Sequence, residues 1–442
     1  MKNIYAKFSS YDIVKLLQAP GYTYFSLSVL FSQIAFNMLS VVLIFQIFHL
    51  TSSNFAVSIL LFSILFPQII LSFLGGIIAD VSDKKSILVY GNLLRALALI
   101  VLFLNPKSLI LVYFIALVTS VITQFYVPAE APLIPSLVKK DYLVPANSIF
   151  GISLFGSILI GYVLAGPLIT ILGRAGIYLL LSGFFLTATF FAVLLPKKGK
   201  GLLKGDYEFD VVKKSIIREF KDSYHVLRHT TDVGSAFFLL IFSQVIILIL
   251  ATLVPGYAKT ILQIPAEELS IILFAPAALG MITSAVLVGS VFNKVRKGKL
   301  MTYGVFLSGI VLVLFPFTSK FAARDFIHLI NTFLPQFLKL NVFNLVLLLA
   351  FTAGFANALV FVPSQAIIQE VIPENFRSKI YGLLFAFIGV FSLIPIIVAG
   401  GVADIFGVGT VLVTIGIFII VMGILKKKSF NSLILYLIFR RK

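Results

Sequence analysis

Arg95, in "LLRALALIVLF", lies about nine residues into an apolar run, roughly 13 Å deep at 1.5 Å per residue. A charge at that depth is a functional candidate and needs a partner. Glu130, in "YVPAEAPLI", is the nearest carboxylate by spacing. A structural ion pair and a charge that serves function both fit. No Asp or Glu falls near the middle of any apolar run, and Asp80, Glu130, Glu370 and Asp404 all stand near run ends. Proton coupling needs a carboxylate that alternates between protonated and paired forms. Glu130 and Glu370 are the candidates for it.

Other chemistries are excluded or thin. The chain has no cysteine, which removes disulfides, thiolate metal sites and cysteine nucleophiles. Of four histidines, only His225 and His229 share a helix spacing, and they lack a nearby third ligand. No metal or cofactor is expected. No G-x-x-x-x-G-K-S/T loop is present, so the sequence gives no support for ATP drive. No paired nucleophile and base falls within the apolar runs, so the chain reads as no enzyme. What remains is amides and hydroxyls one turn apart: Gln33 with Asn37, Thr119 with Thr123, and Ser120 with Gln124, joined by Gln244 and Asn357. Such side chains either face a substrate or hydrogen-bond between helices.

The elements that carry these residues are apolar. Hydrophobic residues make up 60% of the 442, and Phe alone contributes 45. Twelve runs suit a lipid core, at about 21–49, 54–79, 86–104, 108–128, 145–172, 175–195, 233–258, 267–292, 300–319, 342–363, 380–403 and 408–425. Each must be helical, because lipid offers backbone groups no partner. The first run is too long for a signal core and is expected to stay as the first span. The net charge of +18 sits in loops rather than in a nucleic-acid patch. Of the 35 basic residues, 28 fall in the termini and one alternate set of loops; six fall in the other set (Lys107, Arg174, Lys259, Lys320, Arg324, Lys339). That bias places both termini and the central loop in the cytoplasm, in a multi-pass protein of the cell membrane.

The polar stretch 196–231 divides the spans six and six. The expected organisation is therefore a cytoplasmic N-terminus (1–20), a six-helix bundle (21–195), a cytoplasmic loop (196–231), a second bundle (232–425) and a basic tail (426–442). Within the loop, "DVVKKSIIREFKDSYHVLRH" carries an amphipathic pattern suited to the anionic leaflet, and the tail brackets a short apolar run suited to interfacial attachment. An internal repeat supports two halves. "YVPAEAPLI" (126–134) matches "FVPSQAIIQ" (361–369), and "VLAGPLITILG" (163–173) matches "IVAGGVADIFG" (397–407) at almost the same offset.

The stretch "GGIIADVSDKKS", residues 75–86, ends a long uncharged run. Its glycines permit close helix approach, Ser82 or Asp83 can cap the next helix, and Lys84 and Lys85 anchor the turn. Gly76, Asp80, Lys84 and Lys85 resemble the signature G-x-x-x-D-R/K-x-G-R/K-R/K of the major facilitator superfamily. Val81 and Asp83 depart from it. A second copy follows the eighth run as "GSVFNKVRKGK", with Gly289 and, at the aspartate position, Asn293. "PAEAPLIPSLVKKDYLVPANS" and "VPSQAIIQEVIPENFRSKIYG" are similar to the branch with macrolide-efflux proteins, the enterobactin exporter and lysophospholipid flippases. That branch carries Gly-Pro-x-x-x-Gly in the fifth span, where this chain has Gly161 and, five residues on, Gly166–Pro167.

The resemblance implies an all-α membrane protein of twelve helices in two pseudo-symmetric bundles that rock about a central cavity. Spans one, four, seven and ten would line it, making Gln33, Asn37, Thr119, Thr123, Gln124, Gln244 and Asn357 cavity candidates. Asp80 would latch against the eleventh span near Gly400 and Gly401. The expected function is proton-coupled efflux of small neutral or anionic amphiphiles by a monomer whose partners are substrate, protons and lipid, without nucleic acid. A lysophospholipid flippase, a nutrient symporter and a non-transporting membrane scaffold are the alternatives.

Overall fold

The computed structural model describes residue 16 and residues 19–196, 231–318, 341–372 and 374–439. The amphipathic segment expected at 210–229 lies outside them. Helices α1 (Pro20–Thr51), α2 (Asn54–Val81), α3 (Lys84–Leu104) and α4 (Leu109–Glu130) follow one another through short turns. A helical stretch, Leu143–Val193, comes next, with 51 residues. At 1.5 Å per residue it would run about 77 Å, well over twice the ~30 Å of a bilayer core. It is broken at Gly173, whose φ of 75° is left-handed and open to glycine without steric cost. The two parts are α5 (143–172) and α6 (174–193).

The remaining helices are α7 (Thr231–Tyr257), α8 (Ala275–Ser290), α9 (Lys297–Leu314), α10 (Val342–Val371), α11 (Glu374–Phe406) and α12 (Val408–Phe439). Ten described helical segments are long and apolar enough to cross a membrane, counting α5 and α6 as one; the shorter apolar stretch Val408–Ile424 lies in α12. The all-helical membrane fold read from the sequence is thus what the chain forms. Between α11 and α12 stands Gly407, with φ of 85°. Gly173 and Gly407 are the matched final glycines of the "VLAGPLITILG" and "IVAGGVADIFG" repeats, so the repeat extends to backbone conformation.

Two compact units emerge: residues 1–51 with 62–205, and residues 52–61 with 206–442. In the first, hydroxyls stitch helices through backbone carbonyls. Tyr22 Oη donates to Ala146 O (2.7 Å), Ser28 Oγ to Ala188 O (2.8 Å) and Ser182 Oγ to Ala96 O (3.0 Å). α5 approaches α1 at Gly161, where an added Cβ would lie 2.9 Å from Met38 N. α2 approaches α4 at Gly75, where it would lie 1.8 Å from Gln124 O. In the second unit α8 and α10 meet at Gly280 and Gly354, each pressed against the other helix's carbonyls. Only a missing side chain allows such separations, which let dispersion hold helices together where lipid removes the hydrophobic drive.

Candidate functional site

The first unit holds a polar core built by three helices. On α4, Thr123, Tyr126 and Glu130 recur at i, i+3 and i+7 and share one face. Asn92 and Arg95 are three apart on α3, and Ser32, Gln33 and Phe36 fall within about one turn of α1. Arg95 is 1% exposed and Glu130 2%.

The guanidinium is held by neutral groups. Its Nη2 donates to Thr123 Oγ1 (2.8 Å) and its Nη1 to Ser32 Oγ (3.4 Å). Three rings surround it, with Cζ 4.4 Å from the Tyr126 centroid, 5.4 Å from Phe36 and 5.6 Å from Phe185. Cation–π contacts strengthen as water is removed. Arg95 Nε has no hydrogen-bond partner among the described residues. Ser32 Oγ donates to Asn92 Oδ1 (2.7 Å), and Asn92 Nδ2 donates to Tyr126 Oη (3.2 Å), closing the network on the ring that covers the arginine.

Glu130 is held by an amide. Gln33 Nε2 lies 3.1 Å from each carboxylate oxygen and donates to both. Among the described residues, the only ion pair within 4.0 Å joins Lys297 and Glu370. Arg95 and Glu130 are therefore both buried in the first unit without forming an ion pair. A buried charge costs several kcal/mol unless it is compensated. Here each charge is hydrogen-bonded by neutral neighbours.

The other sequence candidates divide between this core and places apart from it. Asn37 Nδ2 donates to Gln33 O (2.8 Å), steadying the turn that presents the amide. Thr119 is buried and bonds back to Ile115 O, while Thr123 Oγ1 donates to Thr119 O. Gln124 Nε2 reaches Ser120 O (3.2 Å). Gln244 and Asn357 are half-buried in the second unit. Glu370 is exposed and paired with Lys297, an arrangement that contributes little to stability.

In the "GGIIADVSDKKS" stretch, Asp83 caps α3 by accepting from Lys85 N and Ser86 N. Lys85 Nζ donates to Val193 O (2.7 Å) and Leu195 O (2.5 Å), closing the C-terminal end of α6. Lys84 is half-buried, and Gly76 and Gly289 have no atom within 4 Å of an added Cβ. Asn293 is exposed in the turn after α8. Asp80 lies in α2, and its side chain is outside the described residues.

One expectation needs correction. Gly400 and Gly401 do not face the Asp80 end of α2. An added Cβ on Gly400 would lie 2.0 Å from Ser58 Oγ, and one on Gly401 would lie 3.6 Å from the Phe55 ring. Those residues lie in the opening turns of α2, whereas Asp80 stands roughly 33–38 Å farther along it at 1.5 Å per residue. Gly161 packs on Asn37, while Gly166 is buried beside Pro167 inside α5.

Asn92 and Ser32 were not singled out in the sequence, and Tyr126 was not assigned to this core. Asn92 stands three residues before Arg95, Tyr126 four before Glu130, and Ser32 beside Gln33, a signal masked because each residue alone is ordinary within a span. A second trace is "FSQI" at 31–34 and "FSQV" at 242–245, which pairs Ser32 and Gln33 with Ser243 and Gln244.

A family model described as the Major Facilitator Superfamily matches residues 25–334. The chain is similar to the "Uncharacterized MFS-type transporter YfiS" of Bacillus subtilis (strain 168), 22% identical over 391 residues and covering 87% of each chain. It is also similar in structure to a POT family transporter in complex with thioalcohol conjugated peptide (TM-score 0.66, 13% identity, 92% of this chain and 95% of that one). The nucleoside transporter NupG matches with a TM-score of 0.64 at 13% identity, over 91% and 97% of the two chains. At such identities the structural likenesses speak for the fold.

Proposed function

This chain belongs to the Major Facilitator Superfamily and is a multi-pass membrane transporter rather than an enzyme, and we propose that it exports small amphiphilic molecules from the cytoplasm in exchange for protons, by alternating access. The observation that carries this reading is the carboxylate of Glu130. It is buried in the first unit, as Arg95 is, and is held by an amide rather than locked in an ion pair. A carboxylate fixed in a tight ion pair resists protonation, and one alone in lipid stays neutral. An amide-held carboxylate buried in the same unit as a cation can exist in both forms, as proton exchange requires.

The cargo class follows from the donors available. Gln33, Asn37, Thr119, Thr123 and Gln124 in the first unit, and Gln244 and Asn357 in the second, offer amides and hydroxyls. Such groups orient polar parts of a mostly apolar ligand. Nothing acidic among these candidates would hold a strongly cationic molecule, so neutral or anionic amphiphiles fit best. The excess of basic residues in one set of loops supports a cell-membrane protein with both termini on the cytoplasmic side. A single chain carries both units, which suits a monomer.

The test is reconstitution into proteoliposomes with an imposed pH gradient and a panel of macrolide-like, lysolipid and dicationic compounds. Gradient-driven flux of a neutral or anionic member, directed against the proton flow, is expected. Lysolipid flux indifferent to the gradient would make the protein a flippase instead. Preference for a dication would overturn the cargo class.

A further inference from the structure

The two sequence halves share a frame but not their charges. Ser32 and Gln33 on α1 correspond to Ser243 and Gln244 on α7, within "FSQI" and "FSQV". "VYG" at 89–91 on α3 corresponds to "TYG" at 302–304 on α9, and the Val-Pro of 127–128 on α4 to that of 362–363 on α10. The structure supports these alignments. Gly91 packs against Tyr126 of α4, and Gly304 against Ala356, Leu359 and Val360 of α10. In this register Arg95 corresponds to Ser308 and Glu130 to Gln365. The supporting groups are neutralised too, since Asn92 corresponds to Val305, Thr123 to Ala358 and Tyr126 to Phe361. The glutamine that holds Glu130 in the first half, Gln33, has its counterpart Gln244 in the second. The acid and the base occur together in one half and are absent together from the other.

We propose that Arg95 and Glu130 form one charge-compensated unit within the buried core of the first unit, in which Arg95 is the positioning residue that lets Glu130 carry a negative charge within the bundle. Physical cost explains why the two go together. Either charge alone in this interior would be uncompensated, whereas the pair is neutral in sum. Glu130 faces Arg95 from α3 and Tyr126 from its own helix as titratable neighbours, and α1 presents only the neutral amide of Gln33. Arg95 acts at a distance, so the lever is charge rather than a shared hydrogen bond. For transport this deepens the reading of Glu130 as the proton-exchanging group and rests on it; the pairing itself does not.

A double-mutant cycle tests it on the full-length protein in detergent. Unfolding is followed by light scattering or calorimetry, since the chain has neither Trp nor Cys for fluorescence or thiol dyes. At pH 8, Arg95→Gln and Glu130→Gln should each lower the unfolding midpoint, and the double variant should unfold at a higher temperature than Arg95→Gln alone. Should neither single variant survive extraction, recovery of the double variant as monodisperse protein is the same result, and its loss as well is the contrary one. The non-additivity should vanish in buffers acid enough to neutralise Glu130, which a packing role would not do. Arg95→Lys, which keeps the charge, should retain the pH dependence. A double variant no better than the worse single one, or a non-additivity indifferent to pH, overturns the pairing. If the pairing holds but Glu130→Gln still transports against a gradient as the wild type does, the transport reading falls and the charge unit stands.

Discussion

Asp404 Oδ1 accepts hydrogen bonds from both the backbone N–H (2.8 Å) and the side-chain amide (2.9 Å) of Asn54, so a carboxylate on α11 caps the start of α2 within the second unit. Its other oxygen accepts from Ser53 Oγ and Phe55 N. One side chain thereby satisfies two of the orphan N–H groups that open a helix, and its charge complements the positive end of the helix dipole. Asp404→Ala is expected to cost about 1 kcal/mol, the usual value of an N-cap, with Asp404→Asn recovering part of it. Thermal unfolding of the purified variants measures this, and equal midpoints for Ala and wild type would remove the cap from the account.

Adjacent glycines should behave oppositely. A Cβ at Gly75 would meet Gln124 O at 1.8 Å, whereas one at Gly76 meets nothing within 4 Å. Gly75→Ala should destabilise by roughly 1–3 kcal/mol through forced separation of α2 from α4. Gly76→Ala should be neutral or favourable by up to about 1 kcal/mol, from helix propensity alone. Yield after extraction and unfolding midpoint rank the two. The reverse order would show that the signature glycine, Gly76, packs more tightly than its neighbour.

The junction of α2 and α3 lets a folding role be tested apart from the role expected of the signature aspartate, Asp80, at the end of α2. Asp83→Ala removes the cap of α3 and should cost about 1 kcal/mol, with the transport rate per folded molecule unchanged. Asp80→Ala should insert and fold normally yet transport weakly. Flux assayed at matched expression decides, and full transport by Asp80→Ala would take that residue out of the mechanism.

Much of this was legible in the sequence because lipid enforces it. Twenty uninterrupted apolar residues have one structural solution, so the helical spans could be placed from composition, and the long 143–193 helix still breaks at a glycine that the repeat marks. The placement of Glu130 in the same interior as Arg95 followed from the demand that a buried charge have compensation. The hold of Gln33 on Glu130 did not, since an amide in a span reads equally as a cavity wall or as helix-to-helix glue. Asp404 was seen only as a charge near a span end. Its cap joins residues some 350 positions apart, and no local pattern encodes such a partner. The latch assigned to Gly400 and Gly401 failed for a related reason, because a signature names residues and leaves open which end of a helix they meet.

Proton-driven accumulation by Glu130→Gln, set beside its downhill exchange, tests the central claim most directly. Using the panel compound that the wild type moves fastest, proteoliposomes of the variant should exchange internal for external compound at near wild-type rates. They should fail to accumulate it when a pH gradient is imposed. Accumulation by Glu130→Gln equal to that of the wild type would contradict the assignment of proton exchange to this buried carboxylate.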